Sequence, residues 1–353
     1  MEKVLQEFKE RIAAATANGN ALRIVGGGTK DWYGNRLQGE TLSTLAYSGI
    51  ADYEPTELVI TARCGTPLAE IEAALAEQNQ MFAFEPPHFG AGATIGGVVA
   101  SGLSGPRRAA VGAVRDFVLG AVLMDGKGEV LHFGGQVMKN VAGYDVSRLM
   151  TGAMGTLGLL LEVSIKVLPR PPVETTLRFQ LDQADAIRRL NEWGGQPLPI
   201  SASVWQDGAL LLRLSGATAA VAAAKNKLGG EELGACADTW ADLREQRSAY
   251  FKTQDDPLWR LSLPSTAQPL ALPGEQLIEW GGAQRWLKTN ASASDIRTAA
   301  AQAGGHATLF RGGDKQVGVF HPLTKTQAML HRNLKAAFDP ARIFNPGRLY
   351  ADM

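Results

Sequence analysis

Gly26-Gly27-Gly28-Thr29-Lys30 follows directly on a short apolar run, Ala21–Val25. Residues without a Cβ let a main chain lie close against a ligand. Their N–H groups can converge on one anion as a backbone nest. Thr29 adds a hydroxyl donor, so the chemistry this suits is the holding of a pyrophosphate. The motif is not a P-loop, because no Gly-Lys-Ser/Thr follows at the right spacing. It is not a Rossmann fingerprint either. Alone, it could be a tight turn. It is not alone. Pro86-Pro87-His88-Phe89-Gly90-Ala91-Gly92-Ala93-Thr94-Ile95-Gly96-Gly97 continues through Ser101 and Gly105 to Arg107, almost entirely in small residues. Gly112, Arg115-Asp116 and Gly152-Ala153-Met154-Gly155-Thr156-Leu157-Gly158 come next. Segments with so little side chain pack backbone on backbone or lie flat against a large ligand. Three such clusters separated by strands are poorly explained as turns.

The elements that must carry these loops are legible from periodicity. Val4, Leu5, Phe8 and Ile12 share one face of an N-terminal helix. Ala21–Val25, Leu58–Ala62, Phe117–Met124, Val130–Phe133 and Leu157–Leu168 read as strands, with Asp125-Gly126 a hairpin turn. Thr66-Pro67 opens a helix as N-cap and first helical residue. The cluster Pro169–Pro172 marks a boundary. Beyond it, strands at Thr176–Gln180, Ala209–Leu214, Leu277–Trp280 and His306–Phe310 alternate with helices at Ala184–Trp193, Ala217–Leu228 and Ser294–Ala303. A last helix spans Lys325–Phe338. The expected division is 1–170, 171–322 and 323–353.

Composition excludes several classes of function. The 353 residues carry 35 Lys+Arg against 35 Asp+Glu, so no basic excess points to nucleic acid. Cys64 and Cys236 are the only cysteines, which make no disulfide framework, metal site or iron–sulfur site. Charges interrupt the N-terminus, so no signal peptide is expected, and no apolar run reaches the ~18 residues of a membrane span. The expected location is the cytoplasm, with any membrane association made through a partner. Six of the seven tryptophans follow residue 190, where core packing or a subunit contact explains them.

The ordered set of motifs resembles the FAD-binding domain shared by vanillyl-alcohol oxidase, p-cresol methylhydroxylase and membrane-linked D-lactate dehydrogenases. The matching segments are Arg23–Thr29, Ala93–Gly97, Val111–Asp116, Val122–Gly126, Lys139–Asp145 and Gly152–Leu159. Within that family the chain is most similar to the smaller FAD-binding subunits of bacterial glycolate oxidases. Gly-Gly-Gly-Thr-Lys-Asp, the run Gly143–Gly158 and the ending Phe338–Tyr350 carry that likeness. The resemblance implies an α+β fold, with a two-lobed FAD domain of the p-cresol-methylhydroxylase type and an α+β cap domain. It implies FAD held by Val25–Lys30, Pro86, Gly92, Thr94–Gly97, Ser101, Gly105, Gly112, Arg115, Asp116, Gly152, Gly155, Leu157, Gly158, Glu162, Val163 and Asn345. No histidine stands in the first glycine loop, so non-covalent FAD is expected. The implied partners are a larger FAD subunit and an iron–sulfur subunit.

The implied reaction is oxidation of glycolate, or another small 2-hydroxy acid, to the oxo acid. That needs an Arg for the carboxylate, a base for the hydroxyl proton and a flavin to accept the hydride. Arg348 is the best of the arginines, which include Arg107, Arg108, Arg115 and Arg311. His306 and His321 are the candidate bases, and His88 lies beside the second glycine cluster. The larger relatives carry a His-x-Gly-x-Gly-Asn-x-His metal segment. Here Gly304–Asp314 keeps one histidine and lacks the rest, so no metal is expected. Two alternatives remain: an electron-relay or structural subunit whose flavin never meets substrate, and a stand-alone D-2-hydroxy-acid dehydrogenase.

Overall fold

The computed structural model describes residues 1–135, 145–252 and 256–353. Apart from Asp145, the motif at Lys139–Asp145 lies outside them. The chain separates into two units. The first comprises Met1–Ser104, Ala113–Pro169 and Pro322–Met353, and the second Gly105–Gly112 and Arg170–His321.

The first unit begins with helix Glu2–Asn18, which ends at Gly19 with φ 67°. Phe8, Ile12 and Ala15 are its buried residues. They pack with Leu22, Leu42, Met124, Leu159, Leu161, Ile343 and Phe344 in one cluster, so both ends of the chain share a core. Burying a side chain such as Phe344 contributes about 1.5–3 kcal/mol. Strand Leu22–Val25 pairs in parallel with Glu40–Ser43, and Phe344 bridges to Leu22 on the other side. A five-stranded antiparallel sheet runs in the order Ile50–Glu54, Val59–Arg63, Leu159–Lys166, Val118–Met124, Val130–Gly134. Its last hairpin turns at Asp125, whose carboxylate accepts from the N–H of Lys127 and Glu129, each at 2.9 Å.

Two local expectations for this unit are corrected. Helix Leu68–Glu77 has Pro67, not Thr66, at its N-cap. The Thr66 hydroxyl donates instead to the Arg63 carbonyl at 2.6 Å and accepts from Gly49 N–H, tying two loops. The second glycine cluster is also not all loop, because Ile95–Ser101 is helical and capped by Thr94.

The second unit is built on an eight-stranded antiparallel sheet. Its order is Glu231–Gly234, Val173–Gln180, Ala209–Gly216, Ile200–Gln206, Glu275–Glu279, Gln284–Lys288, Leu258–Ser262, His306–Arg311. Leu177, Leu210, Leu212 and Leu214 pack with Ala186 and Leu190 of helix Gln183–Gly194 and Val221 of helix Thr218–Leu228. Trp259, Leu261 and Leu309 pack with Ile296 and Ala300 of helix Ala293–Gln302.

Four of these strands escape a sequence reading, two of them because they bury polar residues. Ile200–Gln206 carries buried serines, and Gln284–Lys288 is buried throughout despite Arg285 and Lys288. The Arg285 guanidinium donates to the carbonyls of Ala267 and Gln268, and burial pushes it down to about 10. Glu231–Gly234 is exposed throughout, so it shows no inward apolar face. Leu258–Ser262 is short.

Gly105–Gly112 is fastened into the same unit. The Arg107 guanidinium donates to Glu174 and, at 3.0 Å, to Ser215 Oγ. The Trp280 indole donates to the Gly105 carbonyl at 3.1 Å, and Arg108 stacks 4.3 Å over the Trp280 ring. Burial opposes ionisation of Glu174, but Arg107 and Ser215 outweigh it and hold the carboxyl below its ordinary value. A depressed carboxyl stabilises the fold above its unfolded value of ~4.3, and that contribution disappears as pH falls through the folded value. Wild type should therefore exceed Glu174→Gln in urea midpoint at pH 7, and the difference should shrink below about pH 4. A difference independent of pH would show that charge is not what the carboxylate contributes.

Candidate functional site

Strand Leu22–Val25 delivers Gly26–Thr29 to the rim of a cleft in the first unit, lined by apolar side chains and a few polar groups as cofactor sites are. The loop sits where it does because main chain packs on main chain. A Cβ on Gly27 would fall inside the Gly92 carbonyl oxygen, and one on Gly26 inside the Thr94 hydroxyl. Gly28 has φ 69°, where side chains are strained. Among the described residues, no protein group accepts a hydrogen bond from the N–H of Gly26, Gly27 or Gly28. Buried or cleft-facing amides without partners call for a ligand acceptor.

The second cluster contributes differently from expectation. Its helix N-terminus is already satisfied: Ile95 N–H donates to Thr66 O, Gly96 N–H to Cys64 O, and Gly97 N–H to Thr94 Oγ1 at 3.0, 2.9 and 3.2 Å. Thr94, Gly96, Gly97, Ala100 and Ser101 therefore offer the cleft a smooth wall. Gly96 must lack a Cβ, which would stand 2.6 Å from that of Cys64. The third wall is Met154, Gly155, Gly158 and Leu160. Asn345 joins walls one and three. Its side-chain oxygen accepts from Ile24 N–H at 2.8 Å, and its amide donates to Met154 O at 2.6 Å. Gly155 leaves room for it, since a Cβ there would lie 2.7 Å from the Asn345 amide nitrogen.

Lys30 and Arg348 place positive charge in the lining. The Lys30 ammonium donates to His88 O at 3.1 Å. Asp31, also in the lining, pairs with Arg23. Arg348 is buried, and its guanidinium donates to the carbonyls of Asn35, Asp31 and Lys30, the last two at 2.9 and 3.5 Å. Burial pushes it down to about 10. It holds the chain after the first glycine loop, a role that the expectation of a carboxylate clamp did not contain.

The structure thus gathers Val25–Lys30, Thr94, Gly96, Gly97, Ser101, Gly155, Gly158, Asn345 and Arg348 around one cleft. Several other expected residues do not line it. Pro86, Ile95 and Leu157 are buried in packing, Gly92 supports Gly27 from behind, and Gly152 donates its N–H to Val99 O. Val163 is a core strand residue. Glu162 accepts from the Tyr47 hydroxyl at 3.2 Å and pairs with Arg63. Arg115 is exposed, and Asp116 accepts from Ala113 N–H at 2.8 Å. Gly105 and Gly112 belong to the second unit. So do His306 and His321, whose ring centroids are 6.3 Å apart. Burial, Arg260 and the His321 neighbour push His306 down, while burial and Arg297 push His321 down, so both rings are neutral at pH 7. Among the described residues no group of three His, Cys, Asp or Glu side chains could hold a metal.

The expected site residues omitted Ile24, Asp31, Leu37, Thr44, Cys64, Ala100, Met154 and Leu160, which also line the cleft. Burial, then Glu162, pushes the Cys64 thiol far up, so it is no nucleophile. Ile24 and Leu160 lie on strands, Thr44 and Cys64 directly follow strands, and Leu37 comes from the loop between the first two strands.

Residues 4–134 match the family described as the FAD binding domain. Across 348 residues, 99% of this chain and 98% of the relative, the chain is 50% identical to the glycolate oxidase subunit GlcE of Escherichia coli (strain K12). The chain belongs to that family. A D-2-hydroxyglutarate dehydrogenase of Xanthomonas citri pv. viticola is 30% identical over 39% of this chain and 29% of its own length. A solved alkyldihydroxyacetonephosphate synthase superposes over 97% of this chain and 74% of its own with a TM-score of 0.64 at 15% identity, a likeness of fold alone. The fold is the α+β fold of these FAD-binding proteins, and the cofactor is FAD. The lining is chemically suited to it, with the uncovered amides of Gly26–Gly28, the cations Lys30 and Arg348, and apolar surface from Ile24, Leu37 and Leu160.

Gly27→Ala should leave far-UV circular dichroism unchanged while overpacking the loop by about 1–3 kcal/mol. The purified variant should therefore retain little FAD by absorbance, and full occupancy would remove this loop from the cofactor site.

Proposed function

We propose that the chain is the FAD-binding subunit of a glycolate oxidase complex that oxidises glycolate to glyoxylate and passes electrons to a partner subunit. The observation that carries this reading is the 50% identity to the Escherichia coli subunit over essentially the whole chain. The cleft supports it. In this reading the free N–H groups of Gly26, Gly27 and Gly28 hold the pyrophosphate, with Thr29 and Lys30 beside them. Thr94, Gly96, Gly97 and Ser101 form the wall on which the cofactor lies, and Asn345 keeps the opposite wall at the right distance. When bound, FAD supplies a hydride acceptor for the 2-hydroxy acid. The binding is non-covalent. The partners are a larger FAD subunit and an iron–sulfur subunit.

No helix among the described residues is long and apolar enough to cross a membrane. We place the chain in the cytoplasm, reaching the inner membrane only through those partners.

A second reading is favoured by a specific observation. Among the described residues that line the cleft, Arg348 is the one arginine and is engaged with three loop carbonyls, and none is a histidine. A flavin here that relays electrons from substrate oxidised on the partner would need neither a carboxylate clamp nor a base from this unit.

The chain purified by itself should show the two visible bands of oxidised flavin. Glycolate is then added anaerobically to the chain and to the complex with its partners. Bleaching of this chain's flavin in both supports direct oxidation here. Bleaching only with a flavin-loaded partner supports the relay. A chain that carries no FAD in either form removes both readings.

A further inference from the structure

Behind the cleft, out of its lining, lies a fully buried charge pair. Lys335 and Asp339 are both 0% exposed. The Lys335 ammonium has three N–H groups and three acceptors: Thr156 O at 2.7 Å, Phe344 O at 2.7 Å and Asp339 Oδ2 at 2.8 Å. Asp339 in turn accepts from Phe344 N–H at 2.8 Å and from Ile343 N–H at 3.1 Å. Neither charge is exposed to solvent, and every hydrogen on the ammonium is used. A buried ion pair of this kind adds little net stability over apolar residues, because desolvation offsets the attraction. Its place in the fold points to another use.

Thr156 lies in the third glycine loop, between Gly155 and Leu157. Phe344 precedes Asn345, the residue whose amide spans Ile24 N–H and Met154 O. The segment around Phe344 also donates to and accepts from Leu22, at the root of the first glycine loop: Leu22 N–H to Ile343 O at 2.7 Å, and Asn345 N–H to Leu22 O at 2.9 Å. One ammonium therefore fixes the third loop relative to the segment that aligns the first.

We infer that Lys335, with Asp339, is a positioning residue for the cofactor. The buried pair sets the spacing between the two glycine-loop walls, through Thr156 on one side and Asn345 on the other. This inference rests on the reading of the cleft as the FAD site. The pair is the one polar tie between helix Lys325–Phe338 and the Thr156 carbonyl among the hydrogen bonds of the described residues. The three acceptors converge on one ammonium nitrogen, whereas a planar guanidinium would spread its donors over three nitrogens.

The test uses the full chain and three variants: Lys335→Met/Asp339→Leu, which removes both charges together, Asn345→Ala, and the two combined. Removing both partners avoids leaving a lone buried charge, which is strongly destabilising. Thermal unfolding of the FAD-free chain is compared with the FAD dissociation constant from flavin fluorescence, read well below the melting temperature. The charge-pair variant strips the Thr156 and Phe344 carbonyls and the Ile343 and Phe344 amides of these partners, so it should melt below wild type. Well below that melting temperature it should still bind FAD about tenfold more weakly, the scale of coupling within one polar network. Asn345→Ala should weaken FAD similarly, and the combined variant should be little worse than either. A charge-pair variant with the wild-type dissociation constant, or fully additive losses with Asn345→Ala, overturns the inference. So does a loss of melting temperature with unchanged affinity, which would make the pair merely structural. A wild-type chain that binds no FAD fails at the earlier step and overturns the site itself.

Discussion

At Gly27 the main chain lies so close to the Gly92 carbonyl that no methyl group can stand between them. Much of the first unit follows from that approach. Two loops that pack backbone on backbone cannot cover each other's amides with side chains, so the N–H groups of Gly26–Gly28 stay open toward the cleft. The same device recurs at Gly96 against Cys64, which seats helix Ile95–Ser101 on the neighbouring loop. There, however, the amides are consumed by Thr66, Cys64 and Thr94. Two glycine clusters of similar composition thus do opposite things: one offers donors, and the other offers a surface. Binding a cofactor with both a charged and a flat part asks for both.

Charge is handled by the same economy of position. The C-terminal segment carries Lys335, Asp339, Asn345 and Arg348, all buried, and each makes its hydrogen bonds chiefly to backbone groups of the first unit. Polar groups removed from water must be paired, and loop carbonyls are the available acceptors. The tail is thereby a set of donors that organises loops distant in sequence. The second unit also buries polar residues, Arg107 on Glu174 and Arg285 on loop carbonyls, to fasten segments that have no strand partners of their own.

Regular elements were legible wherever one face is apolar. Helix Gln183–Gly194 shows it plainly in the buried stripe Ala186, Ile187, Leu190 and Trp193, and the strands around 120 and 160 stand out as nearly continuous buried apolar runs. Strands Ile200–Gln206 and Gln284–Lys288 break that rule by burying Ser, Gln and Arg, so their pattern looked like loop. In the cleft, the first glycine run could be named from type and spacing, and Asn345 and Arg348 through the family resemblance. Arg115, Glu162 and the two histidines could be named too, but the fold uses them elsewhere.

By itself the sequence determined that glycine-rich loops follow strands in a fixed order and that the charge is balanced, and the order of its motifs carried the resemblance to FAD-binding proteins. Those are properties of residue type and local spacing, which do not depend on distant partners. Only the tertiary structure decided which glycine amides remain uncovered, that Arg348 braces a loop, and that Gly105–Gly112 joins the second unit. Only it revealed the Lys335–Asp339 pair, because Thr156 and Lys335 are brought together across 179 residues by packing that no local pattern records.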